Sequence, residues 1–173
     1  MFGAQEPEGI DISPHVKVFA RAISQGPLGL ALHRPQSWAQ PTRCFENATR
    51  QAELQGGRAL FGWMFHYRVV ADIPGPGYLI AAHHAVWHIP NGQLVDVTPF
   101  HVDPKHHPIA PGGDVLFLVD SDARPVAVGS NITARPSRFH AIDRDERLVA
   151  HVRRLQDEEQ KSCQNLYGGI AGL

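Results

Sequence analysis

The chain is short of cysteine, of any excess charge and of long apolar runs, and each shortage removes a class of function. Its 173 residues include only two cysteines, Cys44 and Cys163. They lie far apart with no CxxC spacing, which excludes a disulfide scaffold and a thiolate metal or redox motif. Sixteen basic side chains against seventeen acidic ones leave a formal charge of −1. No run of five like charges occurs, so neither nucleic acid nor an anionic membrane is an expected partner. No stretch approaches the roughly eighteen apolar residues of a membrane span, and the first thirty residues lack the order of a signal peptide. The expectation is a cytoplasmic protein that does not enter a membrane.

What is present suits one globular domain. The hydrophobic fraction is 43% and the chain is long enough for a single core, while 16 glycines and 14 prolines mark many short connections. Val16, Phe19, Ala20 and Ile23 recur at helical spacing, and Gly26-Pro27 stops the segment, so a short helix is expected over 15–24. Pro35 and Pro41 break the stretch 28–41, which reads as an extended or looped approach to Thr42. Thr42 is a candidate N-cap for a helix from Arg43 to Leu54 that ends at Gly56-Gly57.

Beyond Gly57 the composition turns to aromatic and β-branched residues. Strands are expected over 58–70, 78–89, 93–100 and 115–120, with turns at Pro74–Gly77 and Pro111–Gly113. Trp63, Phe65 and Trp87 fall at strand spacing and read as core or sheet-face packing. Asp143 and Glu146 resemble a capping box before a C-terminal helix whose apolar face is Leu148, Val149, Val152 and Leu155. The fold class is therefore α+β: an antiparallel sheet of about four to six strands, packed against the helix that carries Cys44, with a helix at the C-terminal end.

The turn Ile89-Pro90-Asn91-Gly92-Gln93 decides which side chains share a face. A two-residue Asn-Gly loop would leave Pro90 paired where an N–H is wanted. A three-residue loop instead puts Pro90 at its preferred place in a type I turn and Gly92 in the left-handed bulge. His88 then opposes Leu94, Val86 opposes Asp96 and His84 opposes Thr98, so His84 and Asp96 become diagonal neighbours, roughly 7–8 Å apart at Cβ or less. His83 and Trp87 point to the other face.

Cys44 falls in the first turn of the expected helix, where free N–H groups and the helix dipole favour a thiolate. A thiolate beside a histidine that a carboxylate orients is the general form of a nucleophilic triad, and Cys44, His84 and Asp96 supply it. Asn47, one turn on, is expected to face the same groove or to cap a neighbouring loop, and Gln40 to donate to an oxyanion together with the Cys44 backbone N–H. Both are candidate substrate-binding residues.

Cys44 on a helix, then His84-Ala85-Val86-Trp87, then Asp96-Val97-Thr98-Pro99 resembles the transglutaminase-like branch of the papain-like superfamily. The match covers about residues 42–99. The resemblance implies a helix that presents Cys44 to a His84–Asp96 pair on an antiparallel sheet. It also implies acyl transfer or amide hydrolysis through a thioester, with no cofactor and with a peptide, a protein or a small amide or acyl compound as substrate.

Two rivals stand beside this reading. His83, His84, His88, His101, His106 and His107 crowd near Asp96 and Asp103, a ligand set suited to zinc or non-haem iron. Against it, His84 and His88 are four residues apart on a strand, roughly 13 Å, too far to share one ion. Alternatively the same fold serves as a non-catalytic interaction module.

Overall fold

A computed structural model of the chain describes residues 13–100, 114–128 and 131–167. The expected turn at 111–113 and the candidates His101, Asp103, His106 and His107 lie outside them. The elements in order are α1 (Ser13–Ile23), β1 (Leu28–His33), α2 (Cys44–Gln55), β2 (Arg58–Val70), β3 (Ile73–His88), β4 (Leu94–Asp96), β5 (Val115–Val119), β6 (Val126–Val128), β7 (Asn131–Thr133), β8 (Arg138–Ala141) and α3 (Glu146–Tyr167). The α+β class, the helix that carries Cys44 and the C-terminal helix match the expectation, and a six-stranded sheet carries them.

The sheet is mixed where antiparallel pairing was expected. Its order is β2-β5-β1-β4-β3-β8, and β2 pairs again with β3, so five strands close into a small barrel with β8 attached to β3. All the pairings are antiparallel except β1 with β4, which runs parallel with Leu32 opposite Val95 and His33 opposite Asp96. β1 occupies the stretch read as a loop. Its sequence, Leu-Gly-Leu-Ala-Leu-His, has neither β-branched residues nor polar alternation, because a strand flanked by β5 and β4 draws its stability from neighbours rather than from propensity.

Alternation along β2 and β3 divides the core in two. Leu60, Met64 and Val86 point into the barrel with Ala31, Val115 and Phe117. Trp63, Phe65, Tyr67, Leu79 and Ala81 point outward and are covered by Val16, Phe19 and Ala20 of α1. Phe45 and Ala48 of α2 pack beside them on Phe61 and Ala85. Trp63 and Phe65 are core residues, as expected. Trp87 has a second role: its indole N–H donates to the Gly56 carbonyl at 2.8 Å and closes the end of α2.

Three local readings need correction. The β2–β3 reversal falls at Ala71-Asp72, not at Pro74–Gly77, and β3 already runs from Ile73. There the ladder slips between Arg68 and Val70, and Gly77 (φ +79°) tolerates the approach of the Arg68 carbonyl, which a Cβ would meet at 2.0 Å. β4 stops at Asp96 instead of continuing to residue 100. The cap of α3 is Asp145, whose carboxylate accepts from the N–H groups of Arg147 (2.9 Å) and Leu148 (3.2 Å), not Asp143.

The β8 edge is covered by α3. Gln156 accepts from the Phe139 N–H (3.2 Å) and donates to the Ser137 carbonyl (3.0 Å), while Glu159 accepts from the Ser137 N–H (2.8 Å). These side chains stand where another strand would otherwise pair.

Closure of the barrel depends on Gly62, which pairs with Val119 and lies so close to β5 that a Cβ would stand 1.9 Å from the Leu118 carbonyl oxygen. That obstacle is backbone and cannot rotate away. Gly62→Ala should therefore cost at least about 2 kcal/mol through overpacking, read as a lower urea midpoint. An unchanged midpoint would mean that β5 can back off freely.

Candidate active site

The three-residue turn sets the register at the site. Gly92 has φ +95°, the Ile89 N–H donates to Gln93 O at 3.0 Å, and the ladder pairs His88 with Leu94 and Trp87 with Val95. These are the expected pairs. On its outer edge β3 meets β8 as far as Ala81 and β4 from Trp87 onward, so among the described residues 82–86 pair only with β2. A cavity of about 810 Å³ lies at this gap in the barrel wall, and Cys44, His83, His84, Asp96 and Thr98 all line it.

His84 and Asp96 meet there as the register requires. Nε2 of His84 lies 3.1 Å from Oδ2 of Asp96, and both side chains are buried. The contact is an ion pair whose angle falls short of a linear hydrogen bond. Cys44 lines the same cavity beside His84, and its sulfur also acts on the imidazole. Burial opposes a charge on the imidazole, but Asp96 and Cys44 outweigh it and hold the His84 pKa well above the ordinary 6.5.

The adjacent His83 has the opposite fate. It points out of the barrel, packed against Phe45 (4.8 Å between ring centroids) and Trp63 (5.4 Å). Its Nε2–H donates to Ala123 O at 2.6 Å and its Nδ1 accepts from the Arg135 N–H at 2.8 Å. This neutral tautomer uses both nitrogens and ties the segment from Ala123 to Arg135 onto the sheet. Burial chiefly lowers its pKa to about 4.

Asn47 and Gln40 occupy other positions than those expected of substrate-binding groups. Neither lines the cavity. The Asn47 amide is buried and internally satisfied: its Oδ1 accepts from Gln40 N–H (3.2 Å), and its Nδ2 donates to Gln40 O (2.7 Å) and to the Thr98 hydroxyl (3.2 Å). Gln40 is held by its backbone, and its side chain is exposed.

Thr98, named above in the register and the resemblance but given no role of its own, is the meeting point. Its N–H donates to Asp96 Oδ1 at 3.0 Å, an Asx-type turn that ends β4 and aims Oδ2 at His84. Its carbonyl accepts from His33 Nε2 at 2.9 Å, and the His33 ring stacks on Phe100 at 3.6 Å between centroids. Asp-x-Thr is a readable signal for the turn, whereas the bond to Asn47 spans 51 residues and no local pattern announces it.

The N-terminus of α2 is open. Its cap is Arg43 rather than Thr42, and no side chain bonds to the first-turn amides. Thr42 has φ +66°, a left-handed conformation that is strained for a β-branched residue. The first turn of α2, whose residues Cys44 to Glu46 line the cavity, therefore has no side-chain cap.

Among the described residues no group of three His, Cys, Asp or Glu is placed to hold a metal ion. No helix there is long and apolar enough to cross a membrane. Comparisons with protein-family models, curated proteins and solved structures return no match for this chain.

Two outcomes follow from these contacts. Asn47→Ala removes three bonds and leaves the buried Thr98 hydroxyl and the Gln40 backbone without their partner, at a cost of about 2–3 kcal/mol, measurable by urea denaturation. An unchanged midpoint would remove Asn47 from the frame of the site. For His83, a folded pKa near 4 against 6.5 unfolded makes its contribution full above pH 6.5 and lost as pH falls towards 4. The wild-type Tm should drop across that window more steeply than that of His83→Asn, and parallel curves would contradict the neutral assignment.

Proposed function

We propose that the chain is a Cys-His-Asp enzyme that transfers or hydrolyses acyl groups through a thioester on Cys44. One observation carries this reading: buried His84 lies 3.1 Å from Asp96 and lines one cavity together with Cys44, and both groups favour its charged form. The resemblance to transglutaminase-like proteins over 42–99 points the same way. Cys44 is a buried cysteine outside any disulfide, which suits a cytoplasmic setting where thiols stay reduced.

The reaction has two halves. The Cys44 thiolate attacks the carbonyl carbon, the S–C bond forms, and the carbonyl π pair moves to oxygen, where the Cys44 N–H receives it. As the tetrahedral carbon collapses, the bond to the leaving amine or thiol breaks and the His84 imidazolium supplies the departing group's proton. Water or an acceptor amine then gives a proton to His84 and attacks the thioester, which returns Cys44 as thiolate. Asp96 keeps the ring in position and offsets its charge in both halves. Neither half needs a cofactor. The substrate is a peptide, a protein or a small amide or acyl compound.

Iodoacetamide tests the pair directly. In wild type the alkylation rate of Cys44 should change by no more than about threefold between pH 8 and 6. In His84→Ala it should fall by roughly a hundredfold, as for a free thiol of pKa about 8.5. Peptide mapping separates Cys44 from Cys163, and identical steep profiles in the two proteins would sink the proposal.

A further inference from the structure

Resting on that reading, we propose that the acyl group carried by Cys44 is uncharged, apolar and larger than acetyl, and that it lies in the inner part of the cavity between Ala82, Met64 and Phe100. The cavity, about 810 Å³, is of a size that encloses whole small molecules, far more than an acetyl group needs.

Its two ends differ. The rim carries the exposed Thr42, Arg43 and Ile132. Inward, Ala82 lies two residues before His84 on the same strand and so on the same face, roughly 7 Å along. Met64 pairs with Ala82 across the ladder, and Met64 and Phe100 pack on the apolar cluster inside the barrel. The single methyl of Ala82 leaves room beside His84; Met64 and Phe100 wall that room with carbon and sulfur, and buried His66, two residues from Met64 on the same face, adds an imidazole to the lining.

Chemistry assigns the inner end to the acyl group rather than to the leaving group. After the first half-reaction the acyl group is still bonded to the Cys44 sulfur, while the leaving group must depart and the acceptor must arrive. The group that stays can occupy the inner end, and the groups that exchange need the rim. Charge excludes an anionic acyl group. Arg43 at the rim is paired with Glu46 at 3.1 Å and His84 with Asp96, so a carboxylate beside Met64, Ala82 and Phe100 would lose its water with only the buried His66 imidazole as a further polar neighbour.

The test uses the full chain with p-nitrophenyl acetate, butyrate, hexanoate and hemisuccinate. In each, the Sγ–C bond forms and the ester C–O bond breaks. p-Nitrophenolate leaves with the electron pair, and water later cleaves the thioester to the acid and free Cys44. The readouts are the p-nitrophenolate burst, divided by each ester's rate with hydroxide, and the intact mass of the Cys44 adduct.

Each added methylene is worth up to about fourfold if buried, so hexanoate should exceed acetate at least about tenfold, and hemisuccinate should fall below butyrate. Ala82→Leu should bring the hexanoate-to-acetate ratio close to one, and Met64→Trp reads the same ratio if the first variant does not fold. A wild-type ratio near one, hemisuccinate as fast as butyrate, or a ratio untouched in a folded variant overturns the apolar pocket while Cys44 acylation stands. If no ester acylates Cys44 and its alkylation follows a free thiol, the enzyme reading itself fails and the pocket proposal goes with it.

Discussion

The Asn47 Nδ2–H donates to the Thr98 hydroxyl at 3.2 Å, and this bond joins the helix that carries Cys44 to the segment that follows the strand ending at Asp96. α2 belongs to no ladder, and β4 is only three residues long. Packing of Phe45 and Ala48 on the sheet fixes how far α2 stands from β3, but apolar contact is non-directional and tolerates sliding. The amide of Asn47 removes that freedom. It fixes Gln40 before the helix and Thr98 beyond β4, while Thr98 in turn holds the Asp96 carboxylate. Cys44 and Asp96 are thus both positioned about His84 by one buried network, and a hydroxyl or amide lost from it would loosen both at once.

The strain at Thr42 belongs to the same arrangement. A chain that must pin Gln40 under Asn47 and still begin its helix at Cys44 has three residues in which to turn, and Thr42 takes the left-handed conformation as a result. With Arg43 as the N-cap, no side chain occupies the first-turn amides. A Ser or Asp in that place would bond to them and stabilise the helix, and it would leave those amides no longer free beside Cys44. An uncapped N-terminus beside a buried cysteine is a local rule broken where chemistry would use the breach.

How much could be read from the sequence depends on how local the cause is. α1, α2 and α3 carry their stop signals or apolar spacing within a few residues, and β2 carries its aromatic and β-branched run. Pro90-Asn91-Gly92 likewise encloses its own turn, so the pairing of His88 with Leu94 was legible. Barrel closure was not, since the β1–β4 pairing is parallel and β1 has no strand signature. Asn47 illustrates the limit most clearly. Its position one turn after Cys44 marked it as part of the site, but its direction is set by Gln40 and Thr98, and a helical wheel cannot show that the amide turns away from the cavity to meet them.

The two neighbouring histidines show what the hairpin register controls. His83 and His84 have the same side chain and one peptide bond between them, yet burial holds one neutral while Asp96 and Cys44 hold the other charged. The difference is the period of two along a strand. The odd face places an imidazole against Phe45 and Trp63, with a carbonyl on one nitrogen and an N–H on the other. The even face places it between a carboxylate and a thiol. A slip of one residue in the β3–β4 pairing would move Asp96 off the His84 face and turn Val95 or Val97 toward the gap. Pro90, which lacks an N–H for the shorter loop, and Gly92, which accepts φ +95°, prevent that slip. These turn residues are exposed, and through register they fix which histidine the acid can meet.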